Sequence, residues 1–254
     1  MFLLLPENPD ERFRHGGNNA VYGATHVGGR GHNEDGLLIM ELPDAYLLAV
    51  ADGLGGHSAG EIASRLALET LARFFRENYE PGMDDESLGL FMENAHRAAH
   101  SAVTERAQGP FEDMGTTLVS VVVKGDGVTV ANTGDSRAYL FRDGMPVERT
   151  LDHSPLQELV LSGEVSEEEA MRHPLRNRVN AAIGRRFRVD VYHWKRGDAL
   201  LLGTDGLHDY VPKADIAGII SSGESAREIA LDLVERALPV TKDNVTVVVW
   251  KWEM

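Results

Sequence analysis

No cysteine occurs among the 254 residues, which excludes disulfides, zinc–thiolate centres and cysteine nucleophiles together. Nor does any apolar run approach the roughly 20 residues that a membrane-spanning helix needs. The opening Met1–Pro6 is too short for a signal peptide and lacks its basic flank. Positive charge is scarce: 25 Lys and Arg stand against 40 Asp and Glu, a formal charge of -15. Such a surface repels polyanions and cannot draw on counterion release, so nucleic acid is excluded as the main ligand. These absences together set the expectation of a cytoplasmic monomer with no membrane partner.

What is present is ordinary for a globular chain, with 26 glycines spread through turns and a length that can bury one core. Residues 1–20 carry Pro6, Pro9, Gly16 and Gly17 and read as a leader that lies on the surface or joins a sheet edge. From there, residues 21–254 read as a single domain. Short strands are expected at 21–26, 36–41 and 45–51, then at 116–124, 127–131 and 136–142, and later at 189–194, 198–202 and 245–252. Helical spacing marks 59–79 through Ile62, Leu66, Leu71 and Phe75, and 86–107 through Leu90, Ala95, Ala98 and Val103. A further amphipathic helix is expected at 226–238. Asp126-Gly127 and Asp143-Gly144 take hairpin-turn positions. The stretch 152–184 is polar and partly helical, with Ser166 and Glu169 at capping-box spacing, and reads as a mobile flap beside the site. Strand-rich blocks interrupted by helix pairs argue for an α+β protein.

Carboxylates stand where apolar runs stop. Asp52 follows the strand 45–51, Asp135 the strand ending near Asn132, Asp205 the strand ending at Leu202, and Asp243 precedes the last strand. Each Asp-Gly step taken singly is an ordinary turn. Taken together, short acids on rigid strand ends suit a hard divalent cation, which prefers oxygen ligands and keeps several waters. Gly53 and Gly206 would let backbone approach such an ion. His96 and His100 lie at i and i+4 without a further ligand, and read as a solvent-facing pair.

Seven segments then carry a resemblance: Arg30-Gly31-His32-Asn33-Glu34-Asp35, Asp52-Gly53-Leu54-Gly55-Gly56-His57, Gly115-Thr116-Thr117, Gly134-Asp135-Ser136-Arg137, Asp152-His153-Ser154, Thr204-Asp205-Gly206-Leu207 and Asp243-Asn244-Val245-Thr246. In this order and spacing the chain resembles the bacterial-type metal-dependent serine/threonine phosphatases of the protein phosphatase 2C (PPM) family, over nearly its whole length. The resemblance implies a four-layer α-β-β-α sandwich of two antiparallel sheets flanked by helix pairs. It implies two Mn²⁺ or Mg²⁺ ions at one end of that sandwich. By position Asp52 bridges both ions, Gly53 offers its carbonyl, Asp205 and Asp243 hold the other ion, and Asp35 with Glu34 holds bound waters. Asp135 becomes a ligand with the third, weaker ion that many bacterial-type members use. Arg30 matches the arginine that grips the phosphoryl group. The implied reaction is in-line attack by a water or hydroxide between the ions on phosphoserine or phosphothreonine, in proteins phosphorylated by a serine/threonine kinase.

One position departs from the animal and plant pattern, which has histidine directly after the Asp-Gly; here Leu54 stands there. His57 follows the glycine pair instead and is the candidate catalytic acid, the alternative being that it orders the loop. Two rival readings are a phosphoprotein-binding module without turnover and another dinuclear hydrolase acting on small phosphoesters. The basic group Arg185, Arg186 and Arg188 is either a steering patch for acidic peptides or a solvated surface.

Overall fold

Alternation with period two divides Tyr46–Leu54 between two environments. Leu47, Ala49 and Ala51 face one core while Leu48 and Val50 face another. A strand buried on both faces must sit inside a layered protein, and the computed structural model has that form. It describes residues 1–55, 59–170, 173–176, 178–223 and 225–252, with the backbone alone at 167 and 168.

In chain order the elements are β1 (Phe2–Leu5), β2 (Phe13–Gly17), β3 (Val21–His26), β4 (Asp35–Glu41), β5 (Tyr46–Leu54), α1 (Ala59–Asn78) and α2 (Asp85–Arg106). There follow β6 (Gly115–Thr116), β7 (Leu118–Lys124), β8 (Gly127–Thr133), β9 (Arg137–Arg142) and β10 (Met145–Arg149), then α3 (Pro155–Leu161) and α4 (Glu167–Ala170). The last third holds β11 (Asp190–Lys195), β12 (Ala199–Gly203), α5 (Asp205–His208), α6 (Lys213–Ser222), α7 (Ala226–Ala237) and β13 (Val245–Lys251).

One antiparallel sheet runs β1-β4-β5-β7-β8-β11, with β6 paired to β5, and the other runs β10-β9-β12-β13-β3-β2. Helices α1 and α2 cover the first sheet through Leu68, Leu71, Phe75, Met92 and Val103. On the second sheet Leu207, Ile216, Ile229 and Leu233 of α5, α6 and α7 do the same. Between the sheets lie Leu37, Ile39, Val121, Val130, Leu200, Leu202 and Val248. The expected α+β, four-layer sandwich is the observed arrangement.

Local chemistry explains the element ends. Asp84 caps α2 by accepting from the Ser87 amide at 2.8 Å, and Ser225 with Glu228 forms a full capping box on α7. Ser166 and Glu169 exchange the same bonds at the start of α4. Asp143 and Gly144, at φ 52° and 73°, make the tight turn between β9 and β10.

Three sequence expectations change. His96 does not face solvent: it is wholly buried under the first sheet, its Nε2 2.8 Å from Ser120 Oγ and its Nδ1 3.2 Å from Thr133 Oγ1. Hydroxyls on β7 and β8 make that burial tolerable, and desolvation lowers its pKa to about 3, so the ring is neutral. His100 is half-buried, its Nδ1 accepting from the Gly184 amide at 3.1 Å. The apolar stripe of α2 runs through Leu88, Met92, Ala95, Ala99 and Val103, leaving Leu90 60% exposed. Helices α5 and α6 and strand β10 are additions. Residues 1–20 supply β1 and β2, an edge of each sheet.

Candidate active site

Antiparallel pairing brings the end of one strand beside the start of its neighbour. Asp35 opens β4 and lies directly opposite Asp52 near the end of β5. In the second sheet β12 ends just before Asp205 while β13 starts just after Asp243. Asp135 lies in the turn from β8 into β9, which crosses from one sheet to the other. The two sheets thus deliver their acids to the same end of the sandwich.

Hydrogen bonds between the sheets hold these ends together. Thr204, preceding Asp205, donates from Oγ1 to Asp35 Oδ2 at 2.8 Å. The Asp52 amide donates to Thr117 Oγ1 at 2.9 Å, and Thr117 Oγ1 lies 2.7 Å from Ser136 Oγ, next to Asp135. Asn244 accepts the Glu34 amide at 2.8 Å and donates to the Val27 and His32 carbonyls, both at 2.9 Å. It thereby clamps the loop that carries Arg30. Asn244 lies in the Asp-Asn step of the last motif, yet its spacing says nothing of a partner 210 residues away. Gly206 is required where α5 meets this strand, since a Cβ there would overlap the Asn244 carbonyl oxygen.

Electrostatics mark the cluster as unfinished. Burial pushes the Asp35 carboxyl up to about 7, against the hydrogen bond from Thr204. Burial, then the charges of Asp152 and Asp209, pushes Asp135 up to about 7. Asp52 is raised well above the usual carboxylate range by burial and by Asp35, Asp205, Asp135 and Asp243. Asp205 is raised likewise by burial, Asp135 and Asp243. Glu34 is also raised, by burial first. One Oδ of Asp205 is buried without a hydrogen-bond partner. Arg30, 55% exposed at the rim, donates to Asp243 Oδ2 at 2.7 Å, and that bond raises its own pKa.

Buried like charges with an orphaned oxygen call for a compensating cation. Every donor here is a hard oxygen, so the residues fit Mg²⁺ or Mn²⁺. Among the described residues no three His, Asp or Glu side chains converge as a ready-made metal cage.

The sign of the pH dependence follows. Without metal, Asp35 and Asp135 hold protons more tightly folded, at about 7, than unfolded, at about 3.9. Their contribution to stability is complete below the unfolded value and disappears as pH rises through about 7. In EDTA, Tm is expected to fall between about pH 4 and pH 7; a flat profile would show these acids to be solvated.

The structure therefore brings Asp35, Asp52, Gly53, Asp135, Asp205, Asp243 and Arg30 to one end of the sandwich. His57 lies outside the described residues. Leu54 ends β5. In the basic group Arg188 grips Asp190 through Nε and Nη2 at 3.0 and 2.8 Å, and Arg185 donates to the Asp113 carbonyl. Residue order assigns no role to Arg137 and Asp152, which form a two-pronged ion pair at 2.7 and 2.6 Å beside Asp135. Both lie inside the seven resembling segments, and that position is the one signal the sequence offers.

The family described as Protein phosphatase 2C matches residues 22–225. The chain is similar to the "Serine/threonine phosphatase stp" of Listeria innocua, 34% identical over 226 residues that cover 86% of this chain and 89% of that protein. It is similar to the "Serine/threonine protein phosphatase PstP" of Mycobacterium tuberculosis, 38% identical over 87% of this chain and 42% of that longer protein. The crystal structure of serine/threonine phosphatase Stp1 from Staphylococcus aureus superposes with a TM-score of 0.86 at 32% identity, covering 94% of this chain and 97% of that one.

Proposed function

Because the chain belongs to the protein phosphatase 2C family, we propose that it is a metal-dependent protein serine/threonine phosphatase. The observation that carries this reading is the set of buried acids contributed by both sheets at one end of the sandwich. The names of its relatives support the substrate class.

In this reading Asp52, the Gly53 carbonyl, Asp205 and Asp243 would hold the divalent ions, with Asp52 shared between two of them; Asp35 would orient bound water, and Asp135 would serve a third, weaker ion. Bound divalent ions supply a water of lowered pKa and neutralise charge on the phosphoryl oxygens. Arg30 at the rim reaches from Asp243 toward an incoming phosphoryl group and orients it for in-line displacement. Thr204 holds the Asp35 carboxylate and Thr117 holds the Asp52 backbone, so little reorganisation accompanies the reaction. With Leu54 in place of histidine, the leaving alkoxide takes its proton from His57 or from solvent.

Residues 21–254 form the catalytic unit of this proposal and 152–184 its flap. The substrates are proteins phosphorylated by a serine/threonine kinase. A cytoplasmic monomer is part of the same reading. Among the described residues no helix is long and apolar enough to cross a membrane.

The deciding experiment measures phosphate release from phosphothreonine, phosphoserine and phosphotyrosine peptides with Mn²⁺ and with EDTA. Release from the first two that requires metal is expected. Folded protein that binds phosphopeptide but releases nothing would favour the binding-module alternative. Thermal melts give a readout independent of turnover: Mn²⁺ at about 100 times its Kd adds about 2.7 kcal/mol per site, or roughly 5–10 °C for a domain of this size. Asp205→Asn should remove most of that shift.

A further inference from the structure

Four of the five lysines are engaged within the fold. Lys124 donates to the Met83 carbonyl and meets Asp44, Lys195 meets Asp85, Lys251 donates to the Gly223 carbonyl, and Lys213 is also partnered. Lys242, exposed and directly before Asp243, makes no side-chain hydrogen bond or ion pair among the described residues. On a chain with 40 acidic side chains against 25 basic ones, a lysine that stands beside an acid cluster and pairs with none of it is unusual. Asp243 itself is committed elsewhere: Oδ2 accepts from Arg30 at 2.7 Å and Oδ1 from the Asn244 amide at 2.9 Å.

The backbone holds Lys242 at the rim of the site. Residues 238–242 leave the end of α7 in a turn, the Val240 and Thr241 amides both donating to the Ala237 carbonyl, at 3.0 and 2.8 Å. The Asp243 amide then donates to Thr241 Oγ1 at 3.2 Å. This segment lies against the loop that carries Arg30, where the Gly29 amide donates to the Asp243 carbonyl at 3.2 Å. A Cβ at Gly28 would overlap that carbonyl oxygen, and one at Gly29 would come within 2.8 Å of Lys242 Cα. Glycine is what permits so close an approach. Two exposed cations, Arg30 and Lys242, therefore stand on touching backbones beside the acids.

Before Lys242 come three exposed apolar residues in succession, Leu238 at 38%, Pro239, and Val240 at 42%. A chain advances at most about 3.6 Å per residue, which places Val240 within about 11 Å of Asp243. Single exposed apolar side chains are common. Three together, ending at the site and followed by an uncommitted cation, form a surface of defined chemistry. A peptide whose phosphoryl group sits between Arg30 and the acid cluster has its neighbouring residues within reach of it.

We infer that residues 238–242 are a substrate-recognition ledge. Lys242 selects phosphopeptides with an acidic residue within two positions of the phosphorylated one, and Val240 with Leu238 takes an apolar residue farther along. The inference rests on the phosphatase reading and adds to it the class of peptide. Lys242 is a specificity residue, which contacts the flank of the substrate and not the reacting phosphoryl group. A compact charge on a flexible stem suits a carboxylate whose position varies between substrates.

Steady-state kinetics test this on phosphothreonine peptides of one length with Asp or Lys at the flanking positions, beside p-nitrophenyl phosphate, which has no flanks. The Asp-flanked peptide should have a KM lower than the Lys-flanked one by about threefold or more, the scale of an exposed ion pair. Lys242→Met should abolish that difference and Lys242→Glu should reverse it. Val240→Ser should raise KM about threefold, and only for peptides with an apolar residue beyond the acid. All three variants should keep the wild-type KM for p-nitrophenyl phosphate, which a general loss of structure would not spare. Equal KM values for the two peptides in the wild type would overturn the inference. So would a KM for p-nitrophenyl phosphate that rises in Lys242→Met as much as that of the peptides, since Lys242 would then bind the phosphoryl group itself.

The same peptides carrying a fluorescent label give dissociation constants for the Mn²⁺-loaded protein by anisotropy. If none of them releases phosphate, the phosphatase reading fails separately. The ratio of dissociation constants for Asp- and Lys-flanked peptides, compared between wild type and Lys242→Glu, still decides whether the ledge reads acidic flanks.

Discussion

Asp52→Asn is expected to lower phosphate release on the order of 10³-fold or more, about 4 kcal/mol of transition-state stabilisation, while leaving the fold intact. Asp52 lies opposite Asp35 on the adjacent strand and feels the charge of Asp35, Asp205, Asp135 and Asp243. Its amide replacement keeps the volume and the backbone bond from the Asp52 amide to Thr117. It removes the charge that would hold the ions. The same change has an opposite effect on the metal-free protein, because a neutral side chain relieves repulsion among buried carboxylates. At pH 8 in EDTA the Tm of Asp52→Asn should exceed that of the wild type, and with Mn²⁺ the order should reverse. Full activity in this variant would remove Asp52 from the mechanism. An unfolded variant would give it a structural role instead.

Arg137→Met is expected to cost about 3–5 kcal/mol of stability, the usual consequence of deleting one partner of a buried ion pair. That corresponds to a fall in Tm of roughly 6–20 °C. The Arg137 side chain is 15% exposed and the Asp152 side chain 10%, and both prongs of the guanidinium are engaged. Burial pushes the Asp152 carboxyl up, and Arg137 overcomes this to hold it below its ordinary value. A depressed pKa contributes stability above the unfolded value that is lost as pH falls through the folded one. The deficit of Arg137→Met should therefore be largest near neutral pH and shrink under acid. Adding Asp152→Asn to Arg137→Met should recover part of the loss, since no unpaired charge then remains buried. Equal denaturant midpoints for wild type and Arg137→Met would show that water screens the pair.

Several elements are legible in the residue order itself. Strands β3, β4, β5, β7 and β13 announce themselves as short apolar runs bounded by turns, with β-branched residues dominating β7 and β13. Helices α1 and α7 follow from amphipathic spacing and, in α7, from the Ser225–Glu228 box. Other elements are hidden for identifiable reasons. Strand β10 is exposed along four of its five residues and, among the described residues, pairs only with β9, so it shows no burial pattern. In α2 the alanines are spaced to fit more than one face, and Leu90 suggests a stripe that the packing of Leu88 and Met92 against the sheet rejects. His96 looks like half of a surface pair because its satisfying hydroxyls, Ser120 and Thr133, belong to strands far along the chain.

Residue order alone established the family, the oxygen-rich chemistry of the site and the acids that could serve it, because strand ends, glycine turns and motif order are local facts. Convergence is not local. That Asp35 faces Asp52, that Thr204 ties one sheet to the other and that Arg137 neutralises Asp152 depend on contacts between residues up to 169 positions apart. Burial supplies the reason: carboxylates that would be ordinary solvated acids in an unfolded chain acquire raised pKa values only when two packed sheets withdraw them from water together.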